Sequence, residues 1–298
     1  MNSFCIITNY EKDYNLETTN LVKDYLMSKN KKCVIVDSIS EELGYQYTDI
    51  NSIPPGTECA IVLGGDGTII RAANDLRSRS IPILGINLGT LGFLTEIEKV
   101  NINSALQSLI DDEFCVDHRM MLSGRIIIDE ELDSERQAMN DIVITRRDFS
   151  KIISVTIYVN KEYVDTYRGD GVIISTPTGS TGYNLSAGGP IVLPNTKSIV
   201  ITPICPHTFM NRSIIVSDED EITVIIGETK KNQYEKAIVT LDGNQGIELQ
   251  KGDSVVIKKT EEEIKLLKIY DTSFFEVLRN KFMKKGVGYE SWKTNEDN

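Results

Sequence analysis

The chain has 298 residues, a formal net charge of -12, and charged side chains at 26% of positions. A chain this long buries roughly 75% of the surface its unfolded form exposes, and the length suggests about two domains. The acidic balance excludes nucleic acid or an anionic membrane as the main partner, but not a small anionic ligand at a locally positive site.

The start, Met1-Asn2-Ser3-Phe4-Cys5, has no basic stretch followed by a long apolar one, and no run approaches the roughly 20 apolar residues of a membrane helix. The five cysteines, Cys5, Cys33, Cys59, Cys115 and Cys205, are scattered and form no Cys-x-x-Cys pair. Free thiols in a reducing compartment, and hence a cytoplasmic protein, are expected.

In chain order, residues 4–8 read as a strand and Leu21, Val22, Tyr25 and Leu26 as a helical stripe. Residues 32–37 and 58–63 are strand-like. Gly64-Gly65-Asp66-Gly67-Thr68 follows, and then Ile69, Ile70, Ala72, Ala73 and Leu76 repeat at helical spacing. Residues 81–86 form another apolar run. Ile102, Ala105, Leu106, Leu109 and Ile110 mark a helix that Asn101 or Asn103 is placed to cap. Strands alternating with helices predict a parallel, Rossmann-like sheet covered on both faces, with ligands at the carboxyl ends of its strands.

From Leu122 to about Ile257 the pattern becomes short apolar or alternating runs: 124–128, 142–145, 152–159, 172–175, 198–202, 222–226, 237–241 and 254–258. This predicts a β-rich, sandwich-like second domain. Residues 264–270 then resemble a strand, and Phe274, Phe275, Leu278 and Phe282 share a helix face expected to pack back on the first domain. Residues 294–298 are polar and expected to fray. The expected division is 1–118 joined by 264–298, and 119–263.

The chemistry concentrates in loops. Gly64–Thr68 brings backbone N–H groups close to where a phosphate could sit, because glycine leaves the approach open. A carboxylate repels phosphate, so Asp66 points to work on a hydroxyl: accepting its proton during phosphoryl transfer. Gly85-Ile86-Asn87-Leu88-Gly89-Thr90-Leu91-Gly92-Phe93-Leu94-Thr95 supplies a second glycine-bearing loop at a neighbouring strand end. Arg168-Gly169-Asp170-Gly171 leads through a strand into Ser175-Thr176-Pro177-Thr178-Gly179-Ser180-Thr181-Gly182-Tyr183-Asn184-Leu185-Ser186-Ala187-Gly188-Gly189-Pro190, rich in hydroxyls and glycines and free of charge. That density suits a ligand with many hydrogen-bonding groups, such as a nucleotide. Asn140-Asp141 precedes a strand and could serve ribose hydroxyls or simply form a turn. Leu241-Asp242-Gly243-Asn244-Gln245-Gly246 reads as a hairpin turn. The two histidines, His118 and His207, lie apart, and no metal-ligand spacing, Walker loop or nucleophile elbow occurs.

In this order the Gly64–Thr68, Leu88–Leu94, Asn140-Asp141, Gly169-Asp170-Gly171 and Ser175–Pro190 segments closely resemble bacterial NAD kinases, from about Cys59 to Gly252. The resemblance implies phosphorylation of the adenosine ribose 2′-hydroxyl of NAD by ATP, another nucleoside triphosphate or polyphosphate, with a divalent cation, Mg2+ foremost. It implies Asp66 as the catalytic base, with Gly64, Gly65, Gly67 and Thr68 near substrate or donor phosphates. Asn140 and Asp141 would hold the adenosine end, and Thr181, Gly182, Tyr183 and Ser186 would line the adenine pocket. Asp170 would bind the nicotinamide amide, with Arg168, Lys151 and the Cys205 backbone nearby, and Asn244 would sit toward the donor. No protein metal cage is implied, and the family assembles as homodimers or homotetramers. Three positions depart from the family pattern: Asp141 stands where Glu is usual, Gly182 where Ala is common, and Asn244 where Gln is common. Two alternatives use the same residues: a lipid kinase sharing the Gly-Gly-Asp-Gly-Thr loop, and a non-catalytic dinucleotide sensor.

Overall fold

The computed structural model describes residues 1–36, 47–89, 92–148, 151–207, 211–228 and 236–283. The first third runs β1 (Ser3–Thr8), α1 (Glu17–Ser28), β2 (Lys32–Val36), β3 (Cys59–Gly64), α2 (Asp66–Leu76), β4 (Ile83–Asn87), β5 (Ile97–Glu98) and α3 (Ile102–Ile110). Then come β6 (Cys115–Ile128), β7 (Glu131–Ala138), β8 (Asp141–Arg146), β9 (Ile153–Val159), β10 (Glu162–Gly169), β11 (Gly171–Ser175), the short α4 (Tyr183–Ser186) and β12 (Ser198–Ile204). The chain closes with β13 (Ile214–Ser217), β14 (Ile222–Ile226), β15 (Ala237–Leu241), β16 (Ile247–Leu249), β17 (Ser254–Lys268) and α5 (Phe274–Met283). Asp37, Thr90, Leu91 and residues 294–298 lie outside the described residues.

The sheet order β2-β1-β3-β4 is parallel throughout, as the alternating pattern predicts. Its buried strands carry apolar residues on both faces. Phe4, Ile6, Ile61 and Leu63 face α1 and α3, while Cys5, Ile7, Ala60 and Val62 face α2. The five cysteines are free thiols; Cys5 and Cys59 are buried within β1 and β3. Asn101 takes the cap position of α3, but its side chain makes no capping hydrogen bond.

The β-rich part is a sandwich. A six-stranded antiparallel sheet, β13-β12-β11-β8-β15-β16, lies over β10-β9-β14-β17, with β6 and β7 paired beyond β17. Alternate residues of both sheets, such as Ile142, Ile144, Val172 and Ile174 against Val155, Ile157, Val224 and Ile257, fill the space between.

The two runs at 254–258 and 264–270 read as separate strands, yet both belong to β17. This strand continues through a register shift between Lys259 and Glu263. Its first part pairs with β14, and Leu266 pairs in parallel with Ile83 of β4. β6 follows it on the other edge along nearly its whole length. One hydrogen-bonded sheet therefore runs from the parallel strands into the sandwich. The polar interruption Lys258-Lys259-Thr260-Glu261-Glu262-Glu263 hides this continuity in the sequence.

α5 does return to the first third. The Phe274 ring lies 6.0 Å from that of Phe93, and Tyr270 N donates to Glu96 at 2.6 Å. Only part of the expected face packs: Phe274 makes the contact and Leu278 is half-buried, while Phe275 and Phe282 stay 54% and 53% exposed; Lys281 adds a contact over the Phe93 ring. Among the described residues, no helix is long and apolar enough to cross a membrane.

Several hairpins turn through two successive residues with positive φ: Asp129-Glu130, Asn160-Lys161 and Asp242-Gly243. Such turns match the twist of antiparallel strands. At Lys161, with φ 70°, glycine removes a steric cost and valine adds one. In urea unfolding, Lys161→Gly is expected to hold or raise stability by up to ~1 kcal/mol, while Lys161→Val lowers it by about 1–2 kcal/mol. Equal midpoints for the two variants would contradict a left-handed turn there.

Candidate active site

Three strand ends meet at the carboxyl edge of the parallel sheet. β3 ends in Gly64, which accepts at its carbonyl from Leu88 N at 2.9 Å, tying the two glycine loops together. Gly65 caps α2, whose first residue is Asp66. The Asp66 carboxylate accepts from Phe93 N at 2.8 Å and Leu94 N at 3.0 Å. Gly92 lets the second loop come this close, since a Cβ there would collide with the Asp66 carboxylate. The Lys281 ammonium reaches to 3.6 Å from Asp66 Oδ2.

Thr68 is only 2% exposed. Its hydroxyl accepts from Asn9 Nδ2 at 3.2 Å and more loosely from Gly65 N. It fastens the loop from inside rather than facing the cleft. Thr68 N and Ile69 N donate to the Gly65 carbonyl; the N–H groups of Asp66 and Gly67 precede them at the start of α2, where a helix lacks its own acceptors.

A second group lies on the outer face of the six-stranded sheet. A cavity of about 440 Å³ is lined there by Asn140, Asp141, Val143, Tyr183 and Thr240, with Ile70 of α2 forming the wall toward the glycine loops. Asn140 Oδ1 is buried without a hydrogen-bond partner, a ready acceptor for a ligand N–H or O–H. Asp141 is 6% exposed. Gly182 packs against the side chains of Asn140 and Asp141, and Tyr183 stands 46% exposed at the rim.

Much of the hydroxyl-rich segment holds this cavity together. Thr176 N and Thr176 Oγ1 donate to the carbonyls of Asn140 and Met139 at 2.8 and 2.7 Å. Gly179 lies so close to the Asn140 carbonyl that a Cβ would overlap it. Ser180 and Asn184 are wholly buried and bonded to Val192 N and Pro190 O. Thr178 accepts from the buried Arg119. Thr181 is partly buried and Ser186 exposed. The composition suggested ligand contacts, and most of these groups are spent on internal order.

A third group sits at the other end of β8. Asp170 pairs with Arg146 Nε at 2.9 Å and, through its N–H, with the Ile204 carbonyl beside Cys205. The Arg168 carbonyl accepts from His207 N, and Lys151 lies 3.8 Å from Asp148. Thr145 pairs with Gly171, so this group stands about 15 Å from Asp141 along the strand. Asn244 belongs to none of the three groups; it lines a separate cavity of about 200 Å³ with Asn74, Arg77 and Gln137.

The decisive residue that sequence reasoning left in a turn is Asp242. Its buried carboxylate accepts from Met139 N and Asn140 N at 2.7 Å each, Asp141 N at 3.1 Å, and Asn74 Nδ2 of α2 at 2.7 Å. Burial raises its pKa, against the pull of these donors. Burial and the neighbouring Asp242 charge push Asp141 up to about 7. An Asp-Gly pair between strands gives no hint of this role. Lys12 and Lys281, which border the glycine loops, also lie outside every motif.

The family described as ATP-NAD kinase N-terminal domain matches residues 4–114, and that described as ATP-NAD kinase C-terminal domain matches residues 139–269. An NAD kinase from Lachnoclostridium phytofermentans is 51% identical over 284 residues, covering 95% of this chain and 99% of its own. One from Lachnospira eligens is 42% identical, covering 94% of this chain and 100% of its own. Yeast NADH kinase complexed with NADH superposes with a TM-score of 0.81 at 24% identity, over 97% of this chain and 89% of its own. An NAD kinase from Archaeoglobus fulgidus in complex with ATP gives 0.73 at 28% identity, over 95% and 98%.

The raised pKa of Asp141 has a sign that can be read in stability. Between about pH 4, where a free Asp titrates, and about 7, the folded chain binds more protons here than the unfolded one. This contribution to stability is therefore present below pH 4 and is lost as pH rises through 7. Asp141→Asn removes it. Urea unfolding at pH 5 and pH 8 is expected to show a smaller loss of stability across that interval in the variant than in the wild type. An identical change in both would contradict the shift.

Proposed function

The chain belongs to the NAD kinase family and phosphorylates NAD to NADP with ATP, and on that premise we propose that Asp66 is the base at the adenosine ribose 2′-hydroxyl. One observation carries this reading: the Asp66 carboxylate stands at the carboxyl edge of the sheet, aimed by the Phe93 and Leu94 amides. Two amides leave lone pairs on both oxygens to accept a hydroxyl proton. As Asp66 takes that proton, the ribose oxygen bonds to the terminal phosphorus. The bond from that phosphorus to its bridging oxygen breaks, and ADP leaves with the electron pair. The work lies in alignment and charge stabilisation more than in covalent chemistry.

The cavity at Asn140 and Asp141 takes the adenosine, with Gly182 and Tyr183 at its wall and rim and Thr181 and Ser186 beside them. Its support is the unpartnered Asn140 Oδ1 and the size of the cavity. Gly64, Gly65 and Gly67 leave room for phosphates, and Thr68 keeps their loop in shape. Asp170, with Arg168, Lys151 and the Cys205 backbone, serves the nicotinamide amide. The expected assembly is a homodimer or homotetramer, as the family resemblance implies. Asn244 is kept as a donor-side residue only through the second cavity it lines.

Among the described residues no group of three His, Cys, Asp or Glu side chains could hold a metal ion. A divalent cation such as Mg2+ would come with the donor phosphates and neutralise part of their charge. The family assignment removes the lipid kinase and the non-catalytic sensor.

Incubation with NAD, ATP and Mg2+, followed by detection of NADP, tests the role of Asp66. In Asp66→Asn one oxygen remains for two amides, so unfolding is followed as a control. Turnover is expected to fall at least ~100-fold while NAD affinity stays within a few-fold. Near-normal turnover in the folded variant would overturn the assignment.

A further inference from the structure

We propose that Lys12 and Lys281, which belong to none of the motifs, together hold the phosphate chain of the nucleoside triphosphate donor. The proposal rests on the reading of Asp66 given above and adds the donor side of the same site.

Lys12 is placed by the chain that leaves β1. Asn9 is 8% exposed, and its N–H donates to the Leu63 carbonyl at the end of β3. Its side-chain oxygen accepts from Glu11 N at 3.1 Å and Lys12 N at 3.2 Å, closing a turn. Its amide nitrogen donates to Thr68 Oγ1. The turn is thereby fastened to the first glycine loop. It carries the Lys12 ammonium to 3.0 Å from where a Cβ on Gly65 would stand, and 3.8 Å from where one on Gly89 would stand. The ammonium thus lies over both glycine loops. Among the described residues no hydrogen bond or ion pair engages it. A cation without a partner among the described residues, in a chain of net charge -12, carried over two glycine loops by a turn that a buried asparagine closes, is arranged for an anion that comes from outside the chain.

Lys281 reaches the site from α5. Its ammonium lies 3.6 Å from Asp66 Oδ2 and 4.4 Å over the Phe93 ring. Phe93 is in turn held by Phe274 of the same helix. A carboxylate beside a phosphate site repels the donor, and Lys281 offsets that repulsion at the oxygen where it arises. When the terminal phosphate arrives, this ammonium stands within reach of both charges. Lys12 then holds the chain of phosphates over the glycine loops, and Lys281 holds its reacting end.

The test measures kcat and KM for each substrate in the full chain, with ATP and AMP binding followed by calorimetry. Lys12→Ala is expected to raise the KM for ATP about tenfold, as for loss of one charge-assisted contact, with the KM for NAD within about threefold. Its ATP affinity falls, and its AMP affinity, which needs no outer phosphates, does not. Lys281→Ala is expected to lower kcat and raise the KM for ATP, each about tenfold. Lys12→Arg and Lys281→Arg recover most of both losses, which a merely structural role would not require. Equal effects on NAD and ATP, or none, would overturn the clamp. Such a result would leave Asp66 standing if Asp66→Asn alone abolishes turnover, so the two proposals fail separately.

Discussion

The buried carboxylate of Asp242 is the joint on which the site geometry depends. Three consecutive amides, Met139 to Asp141, and the side chain of Asn74 all donate to it. Asn74 lies on α2, the helix that begins with Asp66. One acceptor therefore fixes the helix that carries the proposed base against the strand entrance that lines the cavity at Asn140 and Asp141. A buried charge is tolerated only when its lone pairs are filled by donors of good geometry, and here four donors fill them. The turn Asp242-Gly243 adopts positive φ at both positions, which folds the carboxylate back under the chain it binds.

The second constraint is the continuous sheet. β6 and β17 carry hydrogen bonds from the parallel strands into the sandwich. The relative position of the two parts is set by backbone pairing rather than by a flexible linker. The glycine loops and the cavity then face each other without help from the ligand, with Ile70 of α2 as the shared wall. Asp141 sits where this arrangement costs most, desolvated and next to another carboxylate. A ligand hydroxyl donating to it favours the ionised form, so ligand binding and ionisation reinforce one another.

The parallel sheet was legible because its strands are apolar runs separated by helices of clear period, as at residues 58–76. The sandwich was legible as a class, but not strand by strand. β7, Glu-Leu-Asp-Ser-Glu-Arg-Gln-Ala, is almost wholly polar because most of it faces solvent. The turns Asp129-Glu130 and Asn160-Lys161 lack the glycine that marks such hairpins. At the candidate site, Asp66 and Asn140-Asp141 stand out in the sequence because their neighbours carry glycine and strand signals. Asp242, Lys12 and Lys281 do not, because their contacts span 53 to 215 residues of sequence that no local pattern encodes. The hydroxyl-rich segment shows the converse: Thr176, Ser180 and Asn184 have the composition of a binding loop and serve as its frame.

These contacts also bear on what kind of base Asp66 is. Two amides donate to its carboxylate and an ammonium lies beside it. Such contacts make the carboxylate an acceptor of fixed direction. Phosphoryl transfer passes through a loose transition state in which the attacking oxygen needs little prior deprotonation. The hydroxyl then has to be aimed at phosphorus and relieved of its proton late, as the new bond forms. A carboxylate locked in direction by backbone amides suits that task. Asp141 differs from Asp66: desolvation and the neighbouring Asp242 charge raise its pKa. The two acidic positions thus differ by environment, one held by amides and an ammonium, the other desolvated beside a second carboxylate.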